Sequence, residues 1–158
     1  MSTVLRCGSD KYLQREYSPF QLKDGSYGIP VTAFRVALIR AAEEMDYYRP
    51  LAAISIFVVA DGNDAVDGIP LVRITKGVPY LHEFTVRFSS RVVGKALRPT
   101  FRAGWRAKVT VRFDTNVFSA REIKAILRRA GQRVAVGCHG VSSPVGSLGW
   151  GTFKLRRA

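Results

Sequence analysis

The chain has 158 residues, of which 47% are hydrophobic and 23% are charged. This length and composition fit one ordinary domain with a core of its own, and they exclude a disordered or fibrous chain. No run approaches the roughly 18 apolar residues of a membrane span, and the N-terminus lacks the layout of a signal peptide. Two cysteines, Cys7 and Cys138, make no disulfide framework, so we expect a cytoplasmic protein.

Charge is the first indication of function. The chain holds 25 Lys and Arg against 12 Asp and Glu, a net charge of +13. Residues 87–112 contain eight basic residues and no acid. They are Arg87, Arg91, Lys95, Arg98, Arg102, Arg106, Lys108 and Arg112. Such a local excess favours a polyanion partner, and nucleic acid above all. The alternative interpretation is a soluble protein with a high isoelectric point.

The first half of the chain predicts an arm, one helix and three strands. Residues 1–28 are polar and rich in Tyr and Gly, which favours an extended N-terminal arm or a loosely packed strand pair. Pro30 opens a helical pattern of apolar residues that reaches Met45. Runs of β-branched or alternating residues then predict strands at 54–60, 71–76 and 82–88.

A basic stretch and an alternating strand come next. Residues 89–104 contain Gly94, Pro99 and Gly104, which predicts a long connection or arm. Residues 105–113 alternate and predict a strand with one apolar face. Its other face carries Arg106, Lys108 and Arg112. Same-face residues lie about 6.6 Å apart, close to the phosphate spacing of an extended single strand. A solvated outer face is the simpler interpretation.

The last part of the chain predicts a capped helix and a glycine-rich loop between two strands. Ser119 and Glu122 form the capping box of a helix that stops at Gly131. Short strands are expected at 133–136 and 150–155. Loop amides could cradle a phosphate backbone, and Trp150 could stack a base. The predicted contacts of this loop are Gly137, Gly140, Gly146, Gly149, Trp150 and Gly151.

The sequence does not favour an enzyme, a metal site or a cofactor. His139 and His82 are candidate general acids or bases, but no partner is assigned to either, and isolated histidines are usually surface or strand-end residues. Two histidines and two cysteines come close to excluding a zinc site built from side chains. Asp61, Asp64 and Asp67 cluster where a turn is expected, so a Mg²⁺ site there is only a weak option.

The glycine-rich C-terminus resembles that of the RAMP superfamily, the repeat-associated RNA-binding proteins of CRISPR systems. The signature of that family is a loop with two Gly-hydrophobic-Gly elements. Gly149-Trp150-Gly151 matches the second element, whereas Gly137 and Gly140 are separated by two residues where the first element has one. The resemblance implies a ferredoxin-like fold of the RNA-recognition type, RNA as the partner, and subunits that line up along a strand.

The chain is also similar to small phage and prophage proteins. The shared motifs are Ile29-Pro30-Val31-Thr32-Ala33-Phe34, Arg98-Pro99, Trp105, Ala130-Gly131 and Gly149–Phe153. We therefore predict an α+β protein with a ferredoxin-like antiparallel sheet, two helices and a C-terminal glycine-rich loop. Residues 29–158 would form that single domain, with a basic insertion at about 89–104.

The predicted function is binding of single-stranded nucleic acid, with RNA favoured over DNA, through phosphate-backbone contacts. The protein would act as a homo-oligomer or as a ribonucleoprotein subunit of CRISPR or phage type, away from membranes. Two alternatives remain open. One is a phage structural or interaction protein, or a mimic of a CRISPR subunit, that acts on a protein partner. The other is an RNA-processing endoribonuclease centred on His139 or His82.

Overall fold

The computed structural model describes residues 3–4, 19–88, 91–136 and 150–156. Within these residues the chain is an α+β protein whose paired strands are all antiparallel. The helices are α1 (Val31–Glu43), α2 (Arg49–Ser55) and α3 (Ala120–Arg129), and a π-helical turn covers Ala130–Val134. The strands are β1 (Thr3–Val4), β2 (Gly28–Pro30), β3 (Ile56–Val59), β4 (Gly62–Asn63), β5 (Pro70–Lys76), β6 (Pro79–Phe88), β7 (Arg91–Phe101), β8 (Arg106–Ala107) and β9 (Thr110–Phe113).

The strands of the described residues form three separate groups. A long hairpin pairs β6 with β7, and β1 pairs with the end of β7. Strand β5 pairs with β2, β4 and β8. Strands β3 and β9 pair only with each other, in the register Phe57–Arg112 and Val58–Val111. The predicted α+β class is therefore confirmed.

Helix α1 is at the centre of the core. It begins at Val31, directly after Pro30, as the sequence predicts, because proline is tolerated at the start of a helix. Its buried face comes from apolar residues at helical spacing, which are Phe34, Ala37, Leu38, Ala41 and Ala42. These residues belong to one hydrophobic cluster with β3, β5, α3 and the segment around Phe20 and Leu22. Phe20 is fully buried, so the end of the predicted N-terminal arm belongs to the core.

Helix α3 begins with the predicted capping box. The Ser119 hydroxyl accepts the backbone N–H of Glu122 at 3.3 Å, and the Ser119 N–H donates to Oε2 of Glu122 at 2.7 Å. The Ser119 hydroxyl also donates to Oε2 at 2.7 Å, and the Tyr47 hydroxyl is a third donor, 3.0 Å from Oε1, which local sequence does not reveal. Hydrogen bonds from the Ser119 N–H and hydroxyl, and from Tyr47, hold the pKa of Glu122 below its ordinary value.

The end of α3 differs from the prediction. The helix does not stop at Gly131 but continues as a π-helical turn to Val134, so the strand predicted at 133–136 is wrong. The segment 150–156 is likewise not a strand. It crosses the π turn instead, where the Phe153 N–H donates to the carbonyl oxygen of Gly131 at 3.0 Å. Gly131 lacks a side chain at the point where this backbone comes close.

Two other predicted elements also need correction. Helix α2 takes Arg49–Ser55, so the strand predicted at 54–60 is shortened to Ile56–Val59. Pro50 suits the first turn of that helix, and β propensity depends on packing in a sheet, which the exposed Leu51 and Ile54 do not have. The connection predicted at 89–104 is mostly strand β7, because pairing with β6 satisfies its backbone.

Candidate nucleic-acid interface

The basic face predicted for residues 105–113 is present. Every second residue from Arg106 to Arg112 is exposed, and the intervening residues, from Trp105 to Phe113, are half-buried. The stretch is divided between two sheets, because β8 pairs with β5 and β9 pairs with β3. Arg106, Lys108 and Arg112 therefore present their charges to solvent, as the alternating pattern predicts.

The β6–β7 hairpin carries five of the predicted basic residues on or beside it. Arg87 lies on β6, Arg91, Lys95 and Arg98 lie on β7, and Arg102 follows β7 directly. Lys95 forms an ion pair, with its Nζ 2.8 Å from Oε1 of Glu83. The hydrogen bond and charge of Glu83 raise the pKa of Lys95. Glu83 lies outside residues 87–112, but the pairing of β6 with β7 places it on the same face of the hairpin as Lys95.

Three aromatic rings meet at the base of the hairpin. The rings of His82 and Trp150 lie edge to face with centroids 5.0 Å apart. The rings of His82 and Tyr80 lie 6.1 Å apart, also edge to face. The guanidinium of Arg102 lies over the Tyr80 ring at 5.2 Å from its centroid. The C-terminal segment is thus brought against the basic hairpin.

Arg98 completes this group, because it is the register partner of His82 across the two strands. Directly opposed residues of an antiparallel pair project from the same face with Cβ atoms about 5 Å apart. We define Tyr80, His82, Arg98, Arg102 and Trp150 as the hairpin cluster. The three rings are half-buried, and Arg102 is exposed. Rings offer stacking surfaces to bases, and guanidinium groups match phosphate oxygens.

The structure describes only part of the predicted glycine loop. Gly137, Gly140, Gly146, Gly149 and His139 lie outside the described residues. Gly151 is buried, with a φ of +76°, and its carbonyl oxygen accepts the Val136 N–H at 3.0 Å. Its backbone therefore has a structural role, whatever else the loop contacts.

The aspartates predicted to cluster in a turn accept hydrogen bonds from backbone N–H groups. Asp64 is buried and accepts the N–H groups of Gln21 at 3.0 Å and Asp67 at 2.9 Å. Asp61 accepts the N–H of Arg73 at 2.8 Å. Among the residues that the structure describes, no three His, Cys, Asp or Glu side chains are placed to hold a metal ion. Nor is any described helix long and apolar enough to cross a membrane.

One exposed aromatic residue was not predicted as part of the site. Phe57 lies on the outer face of the β3–β9 pair, and the guanidinium carbons of Arg35 and Arg112 lie 5.3 Å and 5.4 Å from its ring centroid. The sequence places it inside a continuous apolar run, which predicts burial on both faces. The structure buries only Ile56 and Val58 of this strand. No local signal in the apolar run distinguishes its two faces.

No protein-family model, curated protein or solved structure matches this chain. The resemblances to RAMP and phage proteins therefore stay hypotheses that rest on their short motifs.

Proposed function

We propose that this protein binds single-stranded nucleic acid, RNA in preference to DNA, mainly through the phosphate backbone. The observation that carries the proposal is the hairpin cluster, where three aromatic rings meet two arginines. Single-strand binders combine such stacking surfaces with positive charge along the backbone path. The preference for RNA comes from the RAMP resemblance alone.

Four exposed cations that are not bound to acids among the described residues support phosphate binding. Within the part of the chain that the structure describes, Arg102, Arg106, Lys108 and Arg112 form no ion pair with an acid. Their charge is therefore available to a polyanion, unlike that of Lys95. Arginine suits this purpose, because its planar fork binds phosphate with two parallel hydrogen bonds.

For the architecture, we propose a ferredoxin-like unit built around the β3–β9 pair. Two features favour it: the strands are antiparallel, and their buried residues share a hydrophobic cluster with α1 and α3. A ferredoxin-like sheet has four strands, and within the described residues this pair has two. An experimental structure with nucleic acid bound would test this architecture. It would also test the proposed assembly of subunits along a strand. The location that we propose for this assembly is the cytoplasm.

A salt titration tests the proposed function. The protein is first purified, and its absorbance ratio at 260 and 280 nm reports co-purified nucleic acid. Binding of a labelled single-stranded RNA is then measured over a range of salt concentrations. If five cations contact phosphates, log K against log salt has a slope near −3.5. A flat salt dependence, or no binding at low salt, contradicts the proposal.

A specific observation favours the alternative of a protein partner. Tyr48 and Ile54 are 72% and 71% exposed, and Leu51 between them is also exposed. Leu51 and Ile54 are spaced by three on α2 and share a face, and Tyr48, the residue before the helix, adds a third exposed apolar side chain. In this alternative the protein is a phage structural component or a mimic of a CRISPR subunit. Ile54→Lys would then abolish a stable protein complex that contains no nucleic acid.

A further inference from the structure

Phe57 occupies an unusual place for a large apolar residue. It is 36% exposed in the middle of β3, directly opposite Arg112 of β9. Its neighbours Ile56 and Val58 point to the other face and are buried in the core. The outer face of this two-stranded sheet therefore presents an aromatic ring to solvent beside a cation.

Two guanidinium groups lie against this ring. The Arg35 carbon Cζ is 5.3 Å from the ring centroid, and the Arg112 carbon Cζ is 5.4 Å from it. Arg35 is fixed, because its Nε donates to the carbonyl oxygen of Ile56 at 3.2 Å and its Nη2 donates to that of Ala53. Arg112 is exposed, and it forms no ion pair with any acid that the structure describes. One cation thus orients the ring, while the other can reach a ligand.

The charge around Phe57 selects the ligand. Neither β3 nor β9 contains an acidic residue. Arg112, Lys108 and Arg106 are exposed at alternate positions of the chain that leads back toward the hairpin cluster. Bases stack on aromatic rings and on guanidinium planes alike. An anionic ligand with flat rings, such as a nucleic-acid single strand, complements this surface better than an apolar or acidic peptide.

We propose that Phe57 is a second base-stacking platform, so that one nucleic-acid strand contacts both Phe57 and the hairpin cluster. This inference rests on the proposed function. The seven residues from Arg106 to Arg112 are separated by six steps and span at most about 20 Å, which corresponds to roughly three nucleotides of extended single strand. An oligonucleotide that follows this stretch, with one further base on each platform, has about five nucleotides.

Binding of RNA oligonucleotides of different length tests the second platform. Fluorescence anisotropy at low salt compares oligouridines of 3 and 10 nucleotides on the wild type, Phe57→Leu and Trp150→Ala. Leucine keeps most of the apolar volume but lacks the π-face. We expect Phe57→Leu to weaken the 10-mer about tenfold and the 3-mer less than twofold, because the 3-mer cannot reach both platforms. Trp150→Ala should weaken both.

Two controls separate stacking from structural damage. Phe57→Tyr restores a ring and should bind the 10-mer as the wild type does. Val59→Ala changes an exposed residue on the same face of β3 and should leave both oligonucleotides unaffected. Thermal denaturation verifies that each variant is folded at the temperature of the binding assay.

The outcomes distinguish the two proposals. If the wild type binds neither oligonucleotide, the proposed function fails. If the wild type binds the 10-mer and Phe57→Leu binds it equally well, the second platform alone is refuted. An equal loss for both lengths also refutes it, because a 3-mer bound at the hairpin cluster does not extend to Phe57.

Discussion

Gly131 is a single residue on which the packing of the C-terminal segment depends. A Cβ atom at this position would overlap the carbonyl oxygen of Phe153 and approach its ring carbon Cδ2 to 2.8 Å. The nearest obstacle is backbone, so it cannot be relieved by a change of side-chain rotamer. The segment that it holds includes Trp150, which links this packing to the candidate interface.

Gly131→Ala should therefore destabilise the protein by about 2 kcal/mol, the usual cost of overpacking a tight contact. Urea denaturation measures the free energy of unfolding. Gly94→Ala is the matched control, because a Cβ at Gly94 has nothing within 4 Å and its backbone has no positive φ. We expect the control to change stability by less than about 0.5 kcal/mol. Equal stability of the two variants would show that the close approach at Gly131 does not affect the free energy of unfolding.

The His82 ring contacts two other rings, so substitutions at His82 can distinguish a role in binding from a role in catalysis. If the ring acts by packing between Tyr80 and Trp150, its shape matters more than its nitrogens. His82→Phe should then bind RNA within twofold of wild type. His82→Ala should bind at least about fivefold more weakly, a difference near 1 kcal/mol. Gel analysis of incubated RNA provides the second measurement. RNA cleavage by the wild type that His82→Phe abolishes would support the nuclease alternative instead.

Among the elements, those specified by neighbouring residues were predicted correctly. The capping box needs only Ser119 and Glu122, and the exposed basic face needs only the alternation from Arg106 to Arg112. The first pattern is complete within one turn of helix, and the second within seven consecutive residues. Sequence reasoning could therefore predict the helix start and three of the exposed cations.

Elements that depend on distant residues could not be predicted in this way. Strand β7 forms because β6 pairs with it, although Pro99 and the glycines in the sequence suggest a loop. The π turn is covered by the backbone of Phe153, a contact that no local pattern encodes. The same limit applies to the interface, where the contact of Trp150 with His82 joins residues 68 positions apart.

Helix α3 should behave as a scaffold and not as a binding surface. Ser119→Ala removes the hydroxyl that accepts the Glu122 N–H, and loss of an N-cap costs about 1 kcal/mol. We expect a corresponding loss of stability in urea denaturation. RNA affinity, measured well below the melting temperature, should stay within about twofold. A large loss of affinity with unchanged melting would show that α3 contacts the ligand.

From the ion pair between Lys95 and Glu83 we predict an order of RNA affinities among variants of the hairpin. Lys95 is held by Glu83, so Lys95→Ala should weaken RNA binding less than twofold. Arg102→Ala should weaken it more, because Arg102 is exposed in the hairpin cluster and forms no ion pair among the described residues. Glu83→Gln should strengthen binding about twofold by releasing Lys95. Equal losses for Lys95→Ala and Arg102→Ala would contradict this reading of the hairpin.

The net charge of +13 is a property of the whole molecule, so the effect of total charge on binding must be separated from the effect of where the cations lie. A protein with this excess attracts nucleic acid without any defined site. Exposed cations also occur on α3, at Arg121 and Lys124. If total charge alone governed binding, cations on α3 would matter as much as those on β8 and β9. If a defined path binds the strand, only the cations on that path matter.

Paired double variants test this difference. Arg106→Ala with Arg112→Ala should weaken binding to all RNA sequences alike, because phosphate contacts position a ligand without reading its bases. The variant should also reduce the magnitude of the salt slope by about 1.4, which is the loss of two phosphate contacts. Arg121→Ala with Lys124→Ala removes the same charge from α3 and should leave the slope within about 0.3 of the wild-type value. Equal slopes for the two double variants would mean that binding follows net charge, and that the face of β8 and β9 is not the path of the strand.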